Sequence, residues 1–439
     1  MATPTHSHAQ PEPEKSSPWL LPIVILAALA IRLVVVYFTY RGLPDADKDY
    51  EQFGWEMGWV ARALAAGHGF SSPFFPWSGP TALVPPLYPA LLATVFRLFG
   101  IYSLTSGFII LSINSLLSAF TCIPVYFSAK YSLGMRGAKI AAWSWAFYPF
   151  AIYFSAGRVW EYALTALLLT TCFCIAQRIH ATANPLAWLA WGLLYGVTAL
   201  SNPSVLSMLP FLLLLALWKA SKSGRPWLLN ATLTALAVLA VVTPWTIRNY
   251  RALGVLCPIR DNYWLEFYAG NFGDTSDPNP SSVHPASNPV EMQKFLSVGE
   301  PAYLAEKHTL AVAYVSHHPL SFALVSLRRV VYYWTGFWSF SAEYRGREPF
   351  ELPNMFFCGG ITLLMLRGAR RFGRLNRAAL LPYLVLIGIF PLTYYITHPL
   401  MDYRQPIEPA IIVLAIAGVF PWRRLEPVQA NSYTHGLDG

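Results

Sequence analysis

Charge is scarce in this chain. Only 12% of its 439 residues are Asp, Glu, Lys or Arg, whereas 55% are hydrophobic and the mean hydropathy is +0.41. Soluble domains carry about 25% charged residues, so a globule surrounded by water is excluded. Cysteine is scarce too. Four of the five (Cys122, Cys172, Cys174, Cys257 and Cys358) lie in apolar runs, which excludes a disulfide framework and a cysteine metal cluster. No H-E-x-x-H or C-x-x-C occurs, and His284, His308, His317 and His318 show no metal-ligand spacing with an acid. No metal ligands and no firm cofactor are therefore expected, with a weakly bound divalent cation left open at any bound phosphate.

What the chain has in abundance is apolar runs of about the 20 residues that a bilayer requires. With no water in the hydrocarbon, such runs must be helices. The pattern predicts an all-α polytopic membrane protein. About ten spans are expected, near 19–40, 106–129, 140–156, 162–176, 187–201, 205–217, 228–246, 352–366, 380–396 and 407–420. Two apolar stretches, 87–99 and 320–338, contain Arg97 and Arg328–Arg329 and read as helices lying at the interface.

Acids are missing from every loop assigned to the inner side. Those loops hold Lys130, Arg136 and Lys139; Arg178; Lys219, Lys222 and Arg225; and Arg367, Arg370, Arg371, Arg374 and Arg377. This positive-inside pattern puts the N-terminus in the cytoplasm. All 22 acids except Glu12, Glu14, Glu426 and Asp438 then fall outside. The net charge of +9 needs no nucleic acid to explain it. The expected organisation is a disordered cytoplasmic tail (1–17), a membrane domain (18–424) and a cytoplasmic tail (425–439). The membrane domain carries outer loops at 41–105, with interfacial helices, and at 248–350.

The first outer loop is the richest in chemistry. Tyr50, Phe53, Met57, Val60, Ala61 and Leu64 share a face at helical spacing, and Asp49 and Glu56 lie seven residues apart on its flank. Glu56 stands alone among Gly54, Trp55, Met57, Gly58 and Trp59, which is no setting for a solvated surface acid. Burial there would raise its pKa toward that of a working base. Asp45, Asp47 and Glu51 read as solvating groups. His68, between two glycines, either binds a sugar hydroxyl or fills a turn, the second being favoured.

Arg158 and Glu161 open a later helix at i,i+3 spacing, where an acid also complements the helix dipole. Arg404 precedes a helix start at Pro406, a good place for an anion, with Asp402 and Tyr403 as partners. Arg248 is a lesser candidate for phosphate, more often an interfacial anchor. Arg32 sits inside the first span and should face the protein interior. Asn271 lies in an aromatic loop with Tyr263, Trp264, Phe267 and Tyr268, suited to sugar stacking or to lying on headgroups. Asn230 forms a glycosylation sequon within a span and is discounted.

Four motifs occur in order on the outer face: AAGHGF with GPTALVPPLYP; RVWEYALTALLL; PWTIRNYRALG with NYWLEFYAGN; and DYRQPIEPA. From Ile23 to about Pro421 the chain resembles the family 39 glycosyltransferases, which have the GT-C membrane fold and include protein O-mannosyltransferases and the lipid A aminoarabinose transferase. The resemblance implies transfer of a sugar from a polyprenyl-phosphate donor to an extracytoplasmic glycan, lipid or protein. It also implies an integral protein of the bacterial inner (plasma) membrane with its active site on the extracytoplasmic face. It implies an acidic pair well before the first-loop glycine, where this chain has Gln52, Phe53 and Gly54, with acids instead at Asp49, Glu51 and Glu56. It implies a substrate-site acid at Glu161. The expected catalytic set is Glu56, Glu161 and Asp49. Arg404, Arg248 and Arg32 are the donor-phosphate candidates, and Tyr403, His68, Arg158 and Asn271 the substrate-binding ones. A lipid or glycolipid transporter or flippase is the alternative, disfavoured because no internal repeat is visible.

Overall fold

The computed structural model describes residues 17–40, 53–74, 77–272, 283–338 and 351–420, with the backbone alone over 351–354. Asp45, Asp47, Asp49 and Glu51 lie outside the described residues. Within them the ordered structure is helical, apart from one bridge between Ser71 and Pro80.

Among the described residues, five helical stretches are long and apolar enough to cross a membrane, or six if one bent pair is a single span. The first is α1 (Leu20–Thr39). It turns Val24, Ala28, Arg32 and Val36 inward and leaves Leu26, Val34 and Phe38 exposed. A long apolar helix with a bare apolar face is what lipid, not water, covers. Next come α2 (Trp55–Ala65), α3 (Leu87–Phe99), α4 (Leu104–Phe120) and α5 (Cys122–Ala146).

The segment 130–139, expected as an inner loop, is instead helical on either side of a sharp break. Gly134 has φ +78°, a conformation that a residue with a Cβ adopts only under strain. The chain reverses there. The Trp145 indole donates to the Ser118 carbonyl at 2.8 Å, and Cys122 lies against the Ala142 carbonyl. The two legs of α5 are thus antiparallel, and the turn between them is made by one glycine.

After α6 (Pro149–Ala156) and α7 (Tyr162–Ala176), α8 (Pro185–Ser201) and α9 (Leu209–Lys222) lead to α10 (Trp227–Leu253). The sequence suggests that α10 ends near Thr246 and that Arg248 leads a loop. The helix instead runs on past Pro244, which removes only one backbone donor. Tertiary bonds hold the extension. Trp245 Nε1 and Asn249 Nδ2 donate to the Ile259 carbonyl at 3.0 and 3.2 Å, and Asn249 Nδ2 also donates to that of Cys257 at 3.1 Å.

A layer of helices covers one pole: α2 and α3 together with α11 (Tyr263–Asn271), α12 (Pro289–Val298), α13 (Glu300–His317) and α14 (Pro319–Thr335). The last two meet at 103°. The chain closes with α15 (Glu351–Leu375), α16 (Arg377–Ile389), α17 (Leu392–Ile396), a 3-10 turn over Met401–Ile407, and α18 (Glu408–Val419). Phe53, Met57, Val60, Tyr88, Leu92, Phe96, Tyr303 and Leu304 form a separate apolar core beneath this layer. The loop helices therefore pack together as a cap on the bundle.

Candidate active site

Where α2 begins, the chain must pass close to the segment before α7. Gly54 makes the pass possible. Its φ is +95°, and a Cβ there would lie 2.6 Å from the Val159 carbonyl oxygen. This approach carries Glu56, in the first turn of α2, toward Glu161, the residue that precedes α7.

Glu56 is partly buried, with 17% of its side chain exposed, and faces His284 Nε2 at 3.7 Å. His284 Nδ1 accepts from the Ala286 amide at 3.3 Å, which fixes the tautomer and turns the Nε2–H toward the carboxylate. Burial raises the Glu56 pKa above its usual range, while His284 and Arg260 oppose the rise. Glu161 is 4% exposed. One oxygen accepts from Asn202 at 3.4 Å, and the other makes no hydrogen bond among the described residues. Burial pushes its pKa up to about 8.

Arg260 lies near these acids. Its positive charge lowers the pKa of Glu56, Glu161 and Asp261 alike, so it lies within electrostatic reach of all three. Its half-buried guanidinium makes no hydrogen bond within the described residues. Among the described residues this guanidinium is committed to no hydrogen-bond partner, which leaves its donors available.

The 3-10 turn adds a third acid. Asp402 accepts a short hydrogen bond from the Tyr162 hydroxyl, and its other oxygen is buried without a partner. Burial raises its pKa, and Tyr162 and Arg158 counter this. Arg158 is held by the Tyr153 hydroxyl at 3.1 Å, and its own carbonyl accepts from Asn114 at 3.3 Å. Tyr403 stacks on Tyr394 at 4.8 Å, and its hydroxyl meets His398 Nε2 at 3.0 Å. His398 Nδ1 faces Glu266 at 3.4 Å. Glu56, Glu161, Arg158 and Tyr403 thus converge with five residues the sequence did not single out as ligands: Arg260, Glu266, His284, His398 and Tyr162. The adjacent charges Arg260–Asp261, just before the aromatic NYWLEFY run, were the available signal. Among the described residues no three His, Cys, Asp or Glu side chains meet as metal ligands.

The three arginines expected at a donor phosphate are engaged elsewhere. Arg32 is fully buried and donates to Ser118 Oγ at 3.1 Å and to the carbonyls of Ala28, Ala146 and Trp145 at 3.0, 2.7 and 3.2 Å. It stitches α1 to α4 and α5. Arg248 donates to the carbonyls of Phe70 and, at 2.6 Å, Thr81, pinning the first loop to α10. Arg404, 1% exposed, pairs with Glu408 at 2.5 Å and donates to the Trp334 carbonyl and Thr362 Oγ1 at 3.0 and 3.1 Å. Buried guanidinium groups need acceptors, and here the protein supplies most of them; Arg404 Nη2 alone of these is buried without a partner among the described residues.

Two substrate-binding candidates also sit apart. Asn271 is spent on the Phe267 and Ile396 carbonyls, each at 2.8 Å, and on Arg329 Nη1 at 2.9 Å. His68 is exposed, with its ring on Trp77 at 4.3 Å.

The bundle and its cap of loop helices define the GT-C membrane fold. Archaeal oligosaccharyltransferase AglB from Archaeoglobus fulgidus, in complex with an inhibitory peptide and a dolichol-phosphate, is similar at 15% identity with a TM-score of 0.53. The match covers 90% of this chain and 49% of that one, so the chain spans about half the length of that protein. ArnT from Cupriavidus metallidurans, bound to undecaprenyl phosphate, is similar at 13% identity with a TM-score of 0.39, over 92% of this chain and 78% of that one. The family model described as dolichyl-phosphate-mannose-protein mannosyltransferase matches residues 83–245. No curated protein matches the sequence.

Proposed function

We propose that the chain is a membrane glycosyltransferase that moves a sugar from a polyprenyl-phosphate donor to an acceptor outside the cytoplasm. The observation that carries this reading is Arg260, an uncommitted guanidinium facing two acids of raised pKa, Glu56 and Glu161. Transfer from a lipid phosphate to a hydroxyl requires a base for the acceptor proton. It also requires a cation where charge develops on the leaving phosphate. Glu56, steered by His284, is the base. Arg260 holds the phosphate. Glu161, protonated below about pH 8, donates a hydrogen bond that orients the acceptor. Asp49 stays a second candidate base on sequence grounds. Arg158, Asp402 and Tyr403 line the acceptor side. The matched mannosyltransferase family and the dolichol-phosphate held by the archaeal oligosaccharyltransferase support a lipid-linked donor. The acid-free inner loops support an extracytoplasmic face.

Purified protein given a polyprenyl-phosphate sugar should release polyprenyl phosphate only when acceptor is present. A nucleotide sugar should not substitute, because the inner loops hold no glycine-rich cradle. Arg260→Ala should lower the rate on the order of 10²–10³-fold, with Arg260→Lys intermediate, since a point charge lacks the guanidinium's fork. Full turnover in Arg260→Ala would remove that residue from the site.

A further inference from the structure

Beside the proposed site lie two more acids that the chemistry above does not use. Glu300, the first residue of α13, is 3% exposed. Its carboxyl oxygens accept from Thr81 Oγ1 at 2.5 Å and from the Ala82 amide at 2.6 Å. The Asp261 carboxyl lies close enough to the same group for the two charges to act on each other, and its Oδ1 is buried without a hydrogen-bond partner among the described residues. Asp261 also ties its backbone to this segment, its amide donating to the Ala82 carbonyl at 3.1 Å. Thr81 Oγ1 in turn accepts from the Leu83 amide at 3.0 Å. Three pieces distant in sequence therefore meet at one point: the first outer loop, the loop that follows α10, and the start of α13. Arg260 is the residue before Asp261.

Two buried carboxyls this near each other repel strongly when both are ionised, which favours a state with one proton on the pair. The charged and titratable groups that face Glu300 are Asp261, Arg248 and Cys257; those that face Asp261 are Glu300, Arg260 and Cys257. Neither arginine closes on Glu300 as an ion pair. Arg248 spends its guanidinium on the Phe70 and Thr81 carbonyls of the same loop.

We propose that Asp261 and Glu300 share one proton and form a latch that positions Arg260, and that the latch opens when the proton leaves. Glu300 is the proton's owner. Burial, and then the Asp261 charge, hold its pKa well above its ordinary value, while Asp261 is pushed up only to about 6. The sign follows from these directions. A carboxyl whose folded pKa lies above its unfolded value stabilises the fold fully below the unfolded pKa, and that stabilisation is lost as pH rises through the folded one. The latch therefore fails on the alkaline side. Its effect on turnover rests on the reading of Arg260 given above; its existence does not.

Hydrogen exchange of the Ala82, Leu83 and Asp261 amides in the purified full-length protein tests it, at pH 6 and pH 9, with intrinsic exchange rates divided out. Wild-type protection should fall on the order of tenfold or more between the two, as expected when one proton moves by at least one pKa unit. Glu300→Gln keeps an amide donor toward Asp261 without a titrating proton, so its protection should be the same at both pH values. Glu300→Ala should be poorly protected at both. Asp261→Asn removes the facing carboxylate and should move the wild-type transition to lower pH. Wild-type protection that ignores pH, or a Glu300→Gln profile parallel to wild type, would overturn the latch. The donor KM should rise at pH 9 in wild type and stay flat in Glu300→Gln; a latch that opens without moving KM would overturn the positioning of Arg260. Should no sugar transfer occur at any pH, the exchange data still decide the latch, and the functional reading alone fails.

Discussion

A carboxylate becomes a base only where its surroundings make it one. Glu56 has aromatic neighbours, a histidine of fixed tautomer at 3.7 Å and a pKa raised by burial. Glu56→Gln should lower transfer on the order of 10²–10⁴-fold while the donor still binds, measured by single-turnover kinetics beside a donor-binding isotherm. Glu161→Gln copies the protonated form that predominates at neutral pH, so it should keep most activity at pH 7 and lose the change in kcat/KM centred near pH 8. Its stability should also respond. Glu161 stabilises the fold below its ordinary 4.5, and that contribution fades as pH rises through about 8. The melting temperature of Glu161→Gln should therefore fall less steeply over that window. Arg404 answers to a different readout. Breaking a buried ion pair costs about 3–5 kcal/mol, so Arg404→Ala should melt earlier while the folded fraction keeps its donor KM. Glu56 and Glu161 could be picked out from sequence because each is a lone acid among apolar or small residues. Arg32, Arg248 and Arg404 could not be assigned in the same way. A sequence shows that a guanidinium is buried but not whether carbonyls or a ligand satisfy it. Arg260 is not legible as a site residue in the sequence, because the acids near it come from α2 and the start of α7, far away in the chain.

At the scale of elements, the cap is positioned by close backbone approaches. Gly54 lets α2 start against Val159, where any side chain would collide with a carbonyl. Gly54→Ala combines that collision with a backbone strain of about 1–3 kcal/mol. It should displace Glu56 and lower kcat more than it lowers expression, which can be followed by quantifying folded protein beside turnover. Helix positions were readable from hydrophobic runs, and α7 begins and ends where the apolar pattern does. Several boundaries were not, and two show why. The break at Gly134 looked like a loop because Lys130, Arg136 and Lys139 crowd it, yet a single positive φ reverses the chain there. The extension of α10 past Thr246 depends on Trp245 and Asn249 reaching the Ile259 carbonyl, a tertiary bond that local sequence does not announce.

For the whole molecule, the charge asymmetry and the cap make a joint statement about sidedness. Cysteine placed at exposed Ser297, in α12, should label with an impermeant thiol reagent in intact cells; cysteine at Ser221 or Asn376 should not. The reverse pattern would invert the proposed topology. The central claim is that this capped bundle performs chemistry on a lipid-linked sugar rather than moving a lipid. The direct measurement uses proteoliposomes loaded with a polyprenyl-phosphate sugar labelled in its sugar, and follows label reaching a supplied acceptor. Wild type should transfer label with stoichiometric release of polyprenyl phosphate, and Glu56→Gln and Arg260→Ala should not. Label crossing the bilayer while still attached to its lipid, with no transfer and no loss in either variant, would contradict the account.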